Sequence, residues 1–386
     1  MLGYYTIRLL APPHEVPRPP VARCRCRRLP AYIALTGSPL PRRILFAIRS
    51  KLGDTLISYQ CVRAYADANP DTQVTLLTRR AYARLLRHEP GLRVIGFDSR
   101  IGMALRLVWL GLAEPAFDVL AVLWGSGPPI ALIGRLARAR RKIAWTRKFA
   151  PDIFEEAKMP PDHQLVDPAA STIQAFDPAF VAPDALAIPS LAERYRQRES
   201  KGAVGVVPIA DEGRRNLDAA TLLLLIAEVR RRHGTLPIRV FVNPGNAGAD
   251  GLAAMTLPEG CTFVPFRDLS ALVDEYMDLA AWVGTDTGLY HLAAAIGIPA
   301  TVFFGPTQPH KIVMPRQSNA RAYRLAALGD THCEIKSCAR PLCLHANVAA
   351  WSGALSATPL SQTPAACPLR AMPAAALSDS KVVHPA

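Results

Sequence analysis

Residues 284–295 place small polar residues between two apolar runs, a pattern that could bind phosphate. Residues 281–283 predict a short buried strand, residues 285–288 a tight turn, and residues 289–296 a helix. A helix that begins in such a turn presents unpaired backbone N–H groups and the positive end of its dipole. Both features favour an anion, so we expect a phosphate site at Thr287 and Gly288.

Asp54 is the second candidate for chemistry. It follows Gly53 in the polar turn that comes after the first predicted strand, residues 43–48. In open parallel sheets, ligands bind at the carboxyl ends of strands, where a carboxylate can serve as a general base. An aspartate at the start of a helix also caps it, and the residues alone favour that structural role.

The elements that must position these residues alternate between strand and helix. Strand-length apolar runs and helical segments follow each other through short turns, which predicts a parallel, doubly wound α/β sheet. The pattern is interrupted over residues 151–190, where seven prolines predict a covering loop and linker. It restarts near residue 203. We therefore expect four parts: a disordered basic leader (1–42), an N-terminal domain with linker (43–190), a C-terminal domain (191–343) and a disordered Ala/Pro-rich tail (344–386).

Composition limits the class of protein. The 386 residues are half hydrophobic, which is enough for two α/β domains with their own cores. The net charge is +14, and residues 1–43 contribute half of it through eight arginines against Glu15. The remaining excess suits phosphorylated substrates or an anionic membrane surface. No nucleic-acid recognition motif is visible, so we expect no nucleic-acid partner.

The chain lacks the sequence features of membrane insertion. No apolar run reaches the ~18 residues that a spanning helix needs. In the leader the apolar part precedes the basic run, the reverse of a signal peptide, so a transit sequence or an over-extended gene start remains as its explanation. We expect a cytoplasmic protein that contacts the cytoplasmic face of the inner membrane only peripherally.

The C-terminal segment resembles the nucleotide-sugar motif of glycosyltransferase family 9, the bacterial lipopolysaccharide heptosyltransferases. That motif has Asp-Thr/Ser-Gly, a histidine, paired alanines, a Gly-x-Pro turn and Phe-Gly-x-Thr. The positions that fill it here are Asp286, Thr287, Gly288, His291, Ala294, Gly297, Pro299, Phe304, Gly305 and Thr307. The resemblance extends over about residues 43–345 and implies a GT-B fold, in which two Rossmann-like doubly wound domains face a central cleft.

The resemblance assigns roles to individual residues. Asp54 would be the catalytic base of a single inverting displacement, because the family also has Gly-Asp after its first strand. Arg215 stands where the family places the lysine of Lys-x-Trp-Pro, whose tryptophan is missing here. Arg49 and Lys51 would lie on the acceptor or phosphate side. The expected donor-binding residues are Arg215, Asp286, Thr287, Gly288, Leu289 and His291.

The resemblance also implies the substrates: ADP-heptose as the nucleotide-sugar donor and the lipopolysaccharide inner core, or another glycolipid, as the acceptor. No Asp-x-Asp stands at a strand end, so we expect neither a metal nor a cofactor and assign the diphosphate charge to the helix start and basic side chains. Cys333, Cys338 and Cys343 lack the Cys-x-x-Cys spacing of metal sites, and similar late cysteines occur in many members of the family.

Two alternatives stay open. The altered Lys-x-Trp-Pro position is compatible with a glycosyltransferase of the same fold that uses another nucleotide sugar. The resemblance is weak between Gly53-Asp54 and the C-terminal motif, which is also compatible with a non-catalytic nucleotide-binding relative. A dinucleotide-dependent dehydrogenase is disfavoured, because no Gly-x-Gly-x-x-Gly follows the first strand of either half.

Overall fold

The structure is a computed structural model that describes residues 42–324, apart from 126, 147, 149, 162, 200 and 247, together with 338 and 342–353. The predicted leader, except Arg42, and the predicted tail from residue 354 lie outside the described residues. Cys333 lies outside them as well.

The N-terminal half is built on a six-stranded parallel sheet in the order β3-β2-β1-β4-β5-β6. Its central strands are continuous apolar runs, which is typical of parallel strands covered on both faces. The strands are β1 (Arg43–Ile48), β2 (Gln73–Arg79), β3 (Leu92–Phe97), β4 (Phe117–Trp124), β5 (Ala139–Ala144) and β6 (Glu155–Glu156). The helices of this half are α1 (Leu52–Ala68), α2 (Arg80–Leu86), α3 (Arg100–Ala113), α4 (Pro128–Leu136) and α5 (Asp167–Gln174).

The C-terminal half repeats this plan in the order β12-β11-β10-β7-β8-β9. Its strands are β7 (Ala203–Val207), β8 (Ile238–Val242), β9 (Cys261–Pro265), β10 (Leu279–Thr285), β11 (Ala300–Phe303) and β12 (Ala320–Tyr323). Its helices are α6 (Pro189–Arg196), α7 (Ala219–His233), α8 (Ala249–Ala253), α9 (Leu269–Tyr276), α10 (Gly288–Ile296), α11 (Pro309–Ile312) and α12 (Leu342–Trp351), with a 3₁₀ turn at Gly213–Arg215.

Each sheet reverses its strand order at one point. In the first sheet β1 pairs with β2 on one side and β4 on the other, and in the second sheet β7 lies between β8 and β10. A parallel sheet opens a crevice beyond the carboxyl ends of the strands at such a reversal. Asp54 follows β1, Arg215 follows β7 and Asp286 follows β10, so the fold brings all three to these crevices. The predicted GT-B architecture, two Rossmann-like domains facing a cleft, is confirmed.

Two boundaries differ from the sequence-based expectation. Residues 151–190 are not only a loop, because they include α5, which is largely buried and packs against β4 and α1 of the N-terminal half. Pro168 lies in the first turn of α5, where its missing N–H costs no helical hydrogen bond. The prediction that a disordered tail begins at residue 344 is also wrong. Helix α12 continues to Trp351, and its Asn347 side chain donates to the Phe304 carbonyl at 2.6 Å.

Within the part of the chain that the structure describes, no helix has the length and apolar character to cross a membrane.

Candidate active site

A cavity of about 570 Å³ lies where the crevices of the two sheets meet. Both halves line it. The N-terminal half contributes the start of α1, and the C-terminal half contributes the 3₁₀ turn and the start of α10. Nearly every residue predicted for the site lies on this cavity: Lys51, Asp54, Arg215, Asp286, Thr287, Gly288, Leu289 and His291.

Asp54 lies in the first turn of α1. Its carboxylate accepts a hydrogen bond from the Ser50 hydroxyl. Burial raises the pKa of Asp54 above the ordinary aspartate value, and it outweighs the Ser50 hydrogen bond and the charges of Lys51 and Arg215, which all lower that pKa. A carboxylate whose proton affinity has been raised in this way is a stronger base than an exposed aspartate.

The start of α10 presents the opposite arrangement. Thr287 caps the helix by accepting from the Leu289 N–H at 3.5 Å, and no acidic residue lies in the first turn. The helix dipole and the N–H groups of this turn therefore meet no carboxylate of their own helix. This combination fits an anionic ligand, as the sequence predicts.

Two glycines let the starts of α1 and α10 approach each other. A Cβ atom added at Gly288 would lie 3.1 Å from the Gly53 backbone nitrogen, and one added at Gly53 would lie 2.6 Å from Cδ2 of His291. A side chain at Gly53 would therefore collide with the His291 ring, and one at Gly288 would press on the start of α1. Gly53, which precedes the candidate base, is thus needed for the close contact between the two halves.

His291 packs in this contact and is nearly inaccessible. Burial lowers its pKa to about 4, so the imidazole is neutral at pH 7. Its Nδ1 atom has no hydrogen-bond partner among the described residues. His291 therefore cannot supply positive charge to a diphosphate, and its visible contribution is to pack against Gly53.

Arg215 contacts acidic groups from two elements. Its Nη1 atom lies 3.1 Å from the Asp286 carbonyl oxygen and 3.3 Å from the Asp286 carboxylate, and its Nη2 atom lies 3.4 Å from Glu212. The Asp286 side chain is buried, so this ion pair holds the turn before α10 against the 3₁₀ turn after β7. The guanidinium expected to meet phosphate is thus engaged by carboxylates.

Arg49 is the predicted residue that the structure places elsewhere. It lines a neighbouring pocket of about 360 Å³ together with Arg79, Arg80 and Arg100. Burial and the charges of Arg79 and Arg100 lower the pKa of Arg49. Arg79 lines both pockets, so it links this basic pocket to the main cavity. Lys51, by contrast, lies on the main cavity and pairs with Asp211 at 3.3 Å.

Two arginines that stand at strand ends on the main cavity, Arg79 and Arg267, are not among the predicted site residues. Arg79 is the last residue of β2, and Arg267 follows the end of β9 by two residues. The rule that ligands bind at the carboxyl ends of parallel strands could have identified both, had it been applied to every strand. Asn243 and Asn246, in the turn after β8, also line the cavity.

Part of the C-terminal half matches a known protein family. Residues 239–343 match the model of glycosyltransferase family 9 (heptosyltransferase). This match includes the start of α10 and confirms the resemblance that the motif carries. No curated protein matches the chain by sequence.

Solved structures of heptosyltransferases share the fold. E. coli heptosyltransferase WaaC with ADP superposes with a TM-score of 0.58 at 16% identity, covering 72% of this chain and 92% of that one. The same enzyme with ADP-2-deoxy-2-fluoro heptose gives 0.57 at 17% identity, covering 73% and 93%. E. coli ADP-heptose heptosyltransferase II gives 0.58 at 17% identity, covering 82% and 100%. Together with the family match, the shared fold supports a glycosyltransferase.

Proposed function

We propose that the protein is an inverting, metal-independent glycosyltransferase that transfers heptose from ADP-heptose to the lipopolysaccharide inner core. The observation that carries this proposal is the position of Asp54 on the same cavity as the start of α10. A base and an anion site that line one cavity from two domains suit a displacement with a diphosphate leaving group.

In the proposed reaction, Asp54 accepts the proton of an acceptor hydroxyl while that oxygen bonds to the anomeric carbon of the donor. The bond from the anomeric carbon to the diphosphate breaks, and its electron pair leaves with ADP. One displacement inverts the configuration at that carbon. The raised pKa of Asp54 suits the role of proton acceptor.

The developing charge on the leaving diphosphate needs positive partners. We assign that role to the N–H groups at Thr287, Gly288 and Leu289 and to Arg215, with Arg267 as a further cation on the same cavity. Arg215 would exchange part of its contact with Asp286 for a phosphate oxygen. We therefore assign the stabilisation of the diphosphate charge to these N–H groups and arginines rather than to a metal ion.

The acceptor side is assigned to residues 43–190 and the donor side to residues 191–343. On the acceptor side, Lys51 on the main cavity and Arg49 in the adjoining basic pocket suit the anionic groups of an inner-core glycolipid. The donor assignment is supported by the ADP and ADP-sugar ligands of the E. coli relatives. With such substrates, the protein would work in the cytoplasm, at the inner membrane.

The test compares wild type with Asp54→Ala. The matched control is Asp67→Ala, which removes an exposed acid from the last turn of the same helix. Release of ADP from ADP-heptose in the presence of inner-core acceptor should fall by about 10²–10⁴-fold for Asp54→Ala only, while calorimetry shows unchanged ADP affinity. Retained turnover in Asp54→Ala would exclude the base role. Nucleotide binding without turnover in the wild type would identify a non-catalytic relative.

A different donor sugar is the second candidate function. Two observations favour it: Arg215 is paired with Asp286, and the Lys-x-Trp-Pro sequence of the family is absent. Calorimetry with ADP-, GDP- and UDP-sugars would distinguish the candidates. Tightest binding of an ADP-hexose or of a GDP- or UDP-sugar would replace ADP-heptose as the donor.

A further inference from the structure

Helix α3 carries an exposed apolar stripe. Of the seven large hydrophobic side chains that are exposed in the described part of the chain, five belong to this helix. Ile101 is 74% exposed and Leu112 is 83% exposed. The exposed positions Ile101, Leu105, Val108 and Leu112 follow the i, i+4, i+7, i+11 spacing of a single helix face, and exposed Trp109 lies beside them.

The opposite face of α3 already packs in the protein. Met103 and Leu107 belong to the core of the N-terminal half, and Leu110 is buried as well. The exposed stripe therefore does not serve the packing of α3 on its own sheet. The outer face of α3 is therefore available to a further partner, and an exposed apolar helix face is typical of helices that lie on a membrane surface.

Basic side chains flank the stripe. Arg100 and Arg106 are exposed on α3 itself, Arg135 is exposed in the last turn of the adjacent α4, and the Arg138 guanidinium donates to the Gly111 carbonyl of α3. None of Arg100, Arg106 and Arg135 forms an ion pair with another described residue.

The acids near the two ends of α3 are already neutralised. Asp98 pairs with Arg80 at 2.9 Å, and Glu114 pairs with Arg43 at 2.7 Å and also with Arg93. The surface around the stripe is thus apolar in its centre and positively charged at its border, which complements a bilayer with anionic headgroups.

We propose that α3 docks the protein on the surface of an anionic phospholipid bilayer. The stripe would enter the boundary between headgroups and acyl chains, Trp109 would lie at that boundary, and the flanking arginines would meet lipid phosphates. A second copy of the chain fits less well. A helix of 14 residues is about 21 Å long, so a stripe ~10 Å wide offers about 200 Å², against about 800 Å² per partner in a stable protein interface.

The stripe adjoins the acceptor side of the cleft. Arg100 at the start of α3 lines the basic pocket with Arg49 and Arg79, and Arg79 also lines the main cavity. Docking through α3 therefore brings the basic pocket close to the headgroup layer, where a membrane-anchored acceptor would lie. Docking through α3 requires only this helix and its flanking arginines, and it does not depend on the proposed transfer reaction.

The test is co-sedimentation of the full chain with vesicles of phosphatidylethanolamine and phosphatidylglycerol, compared with phosphatidylcholine vesicles. The test variant is Leu105→Glu/Leu112→Glu, and the matched control is Leu223→Glu, at an exposed leucine of α7. We expect binding to the anionic vesicles that falls at least about tenfold in the test variant and not in the control. Arg106→Glu/Arg135→Glu and about 0.5 M NaCl should each weaken it several-fold.

We expect ADP affinity and the melting temperature to be unchanged in every variant. These two measurements would show that the variants fold, and they would separate this proposal from the proposed function. Absence of wild-type binding would overturn the proposal, as would equal binding by the test and control variants. The same holds for a dimer, detected by light scattering, that dissociates in Leu105→Glu/Leu112→Glu, because the stripe would then be an interface between copies.

Discussion

Helices α1 and α10 both begin at the cleft, in contact with each other, yet their first turns are built in opposite ways. The first turn of α1 contains Asp54, and no side chain caps the helix. The first turn of α10 contains no acid and is capped by the Thr287 hydroxyl. The same backbone feature, a helix N-terminus after a parallel strand, thus carries an internal carboxylate in one half and none in the other.

The difference shows which physical effect dominates at the start of each helix. A helix N-terminus and the nearby Lys51 and Arg215 favour an ionised Asp54, but burial prevails and raises its pKa. At α10 the buried acid, Asp286, lies just before the helix and is held by Arg215 at 3.3 Å. The predictions below alter one end at a time, beginning with the largest expected effect.

Replacing Arg215 with leucine should have the largest effect on stability. The buried Asp286 carboxylate would lose its ion pair, which costs about 3 kcal/mol in the free energy of unfolding when one partner of such a pair is removed. Urea unfolding would measure this loss. We also expect ADP affinity to fall at least about tenfold, because the diphosphate of ADP would lose the positive charge that we assign to Arg215.

The double variant Arg215→Leu/Asp286→Asn separates these two roles, because it also removes the uncompensated charge. Stability should recover in large part, whereas ADP affinity should stay low. Recovery of ADP affinity together with stability would show that Arg215 acts only by holding Asp286.

Gly53→Ala should be more damaging than Gly288→Ala. The new methyl group at residue 53 would lie 2.6 Å from the buried His291 ring, whereas at residue 288 the nearest atoms lie at 3.1 Å. Overpacking of this kind costs about 1–3 kcal/mol, and we expect Gly53→Ala at the upper end of that range in urea unfolding. Gly288→Ala should instead show mainly a loss of ADP affinity. Equal stability of the two variants would contradict the close contact between the helix starts.

The sequence predicts the features that depend on local interactions and misses those that depend on long-range contacts. Apolar runs and turn residues are local, so the strand and helix alternation, the α10 motif and Gly53-Asp54 could be recognised directly. The ion pair of Arg215 with Asp286 joins residues 71 positions apart, and only the fold shows it. The burial that raises the pKa of Asp54 likewise depends on both halves closing over α1.

The same reasoning explains the boundary errors. The segment that contains α5 is rich in proline, and α12 lies in an alanine-rich segment without an obvious period, so both suggest loops when considered alone. Each helix is stabilised by tertiary packing, α5 in the core of the N-terminal half and Cys343 of α12 beside Gly305. Such contacts cannot be predicted from local propensity.

The pH dependence of the transfer rate should reflect the ionisation of Asp54 at the start of α1. Because burial raises the pKa of Asp54, the acid limb of kcat/KM should lie above the pH at which an exposed aspartate ionises. Ser50→Ala removes a hydrogen bond that lowers this pKa, so the limb should move to higher pH. Transfer assays between about pH 4 and pH 8 would measure both profiles. An acid limb that Ser50→Ala leaves in place would argue that another group limits the rate.

The same pKa shift predicts a stability difference. A raised folded-state pKa means that Asp54 stabilises the fold while protonated and that this contribution is lost as the pH rises through the folded pKa. Asp54→Asn should therefore melt at a higher temperature than wild type above that pH, and the difference should shrink as the pH falls below it. The variant that lacks the proposed base would thus be the more stable protein at neutral pH.

The smallest effect is expected at the cap of α10. Thr287→Ala removes the hydroxyl that accepts from the Leu289 N–H, a change that costs about 1 kcal/mol in the free energy of unfolding. Thr287→Ser keeps the hydroxyl and is the matched control. If the turn binds a diphosphate, ligand oxygens can satisfy the same N–H groups, so ADP should protect Thr287→Ala more than it protects Thr287→Ser. Melting curves with and without ADP would test this, and equal protection of both variants would place the phosphate away from the start of α10.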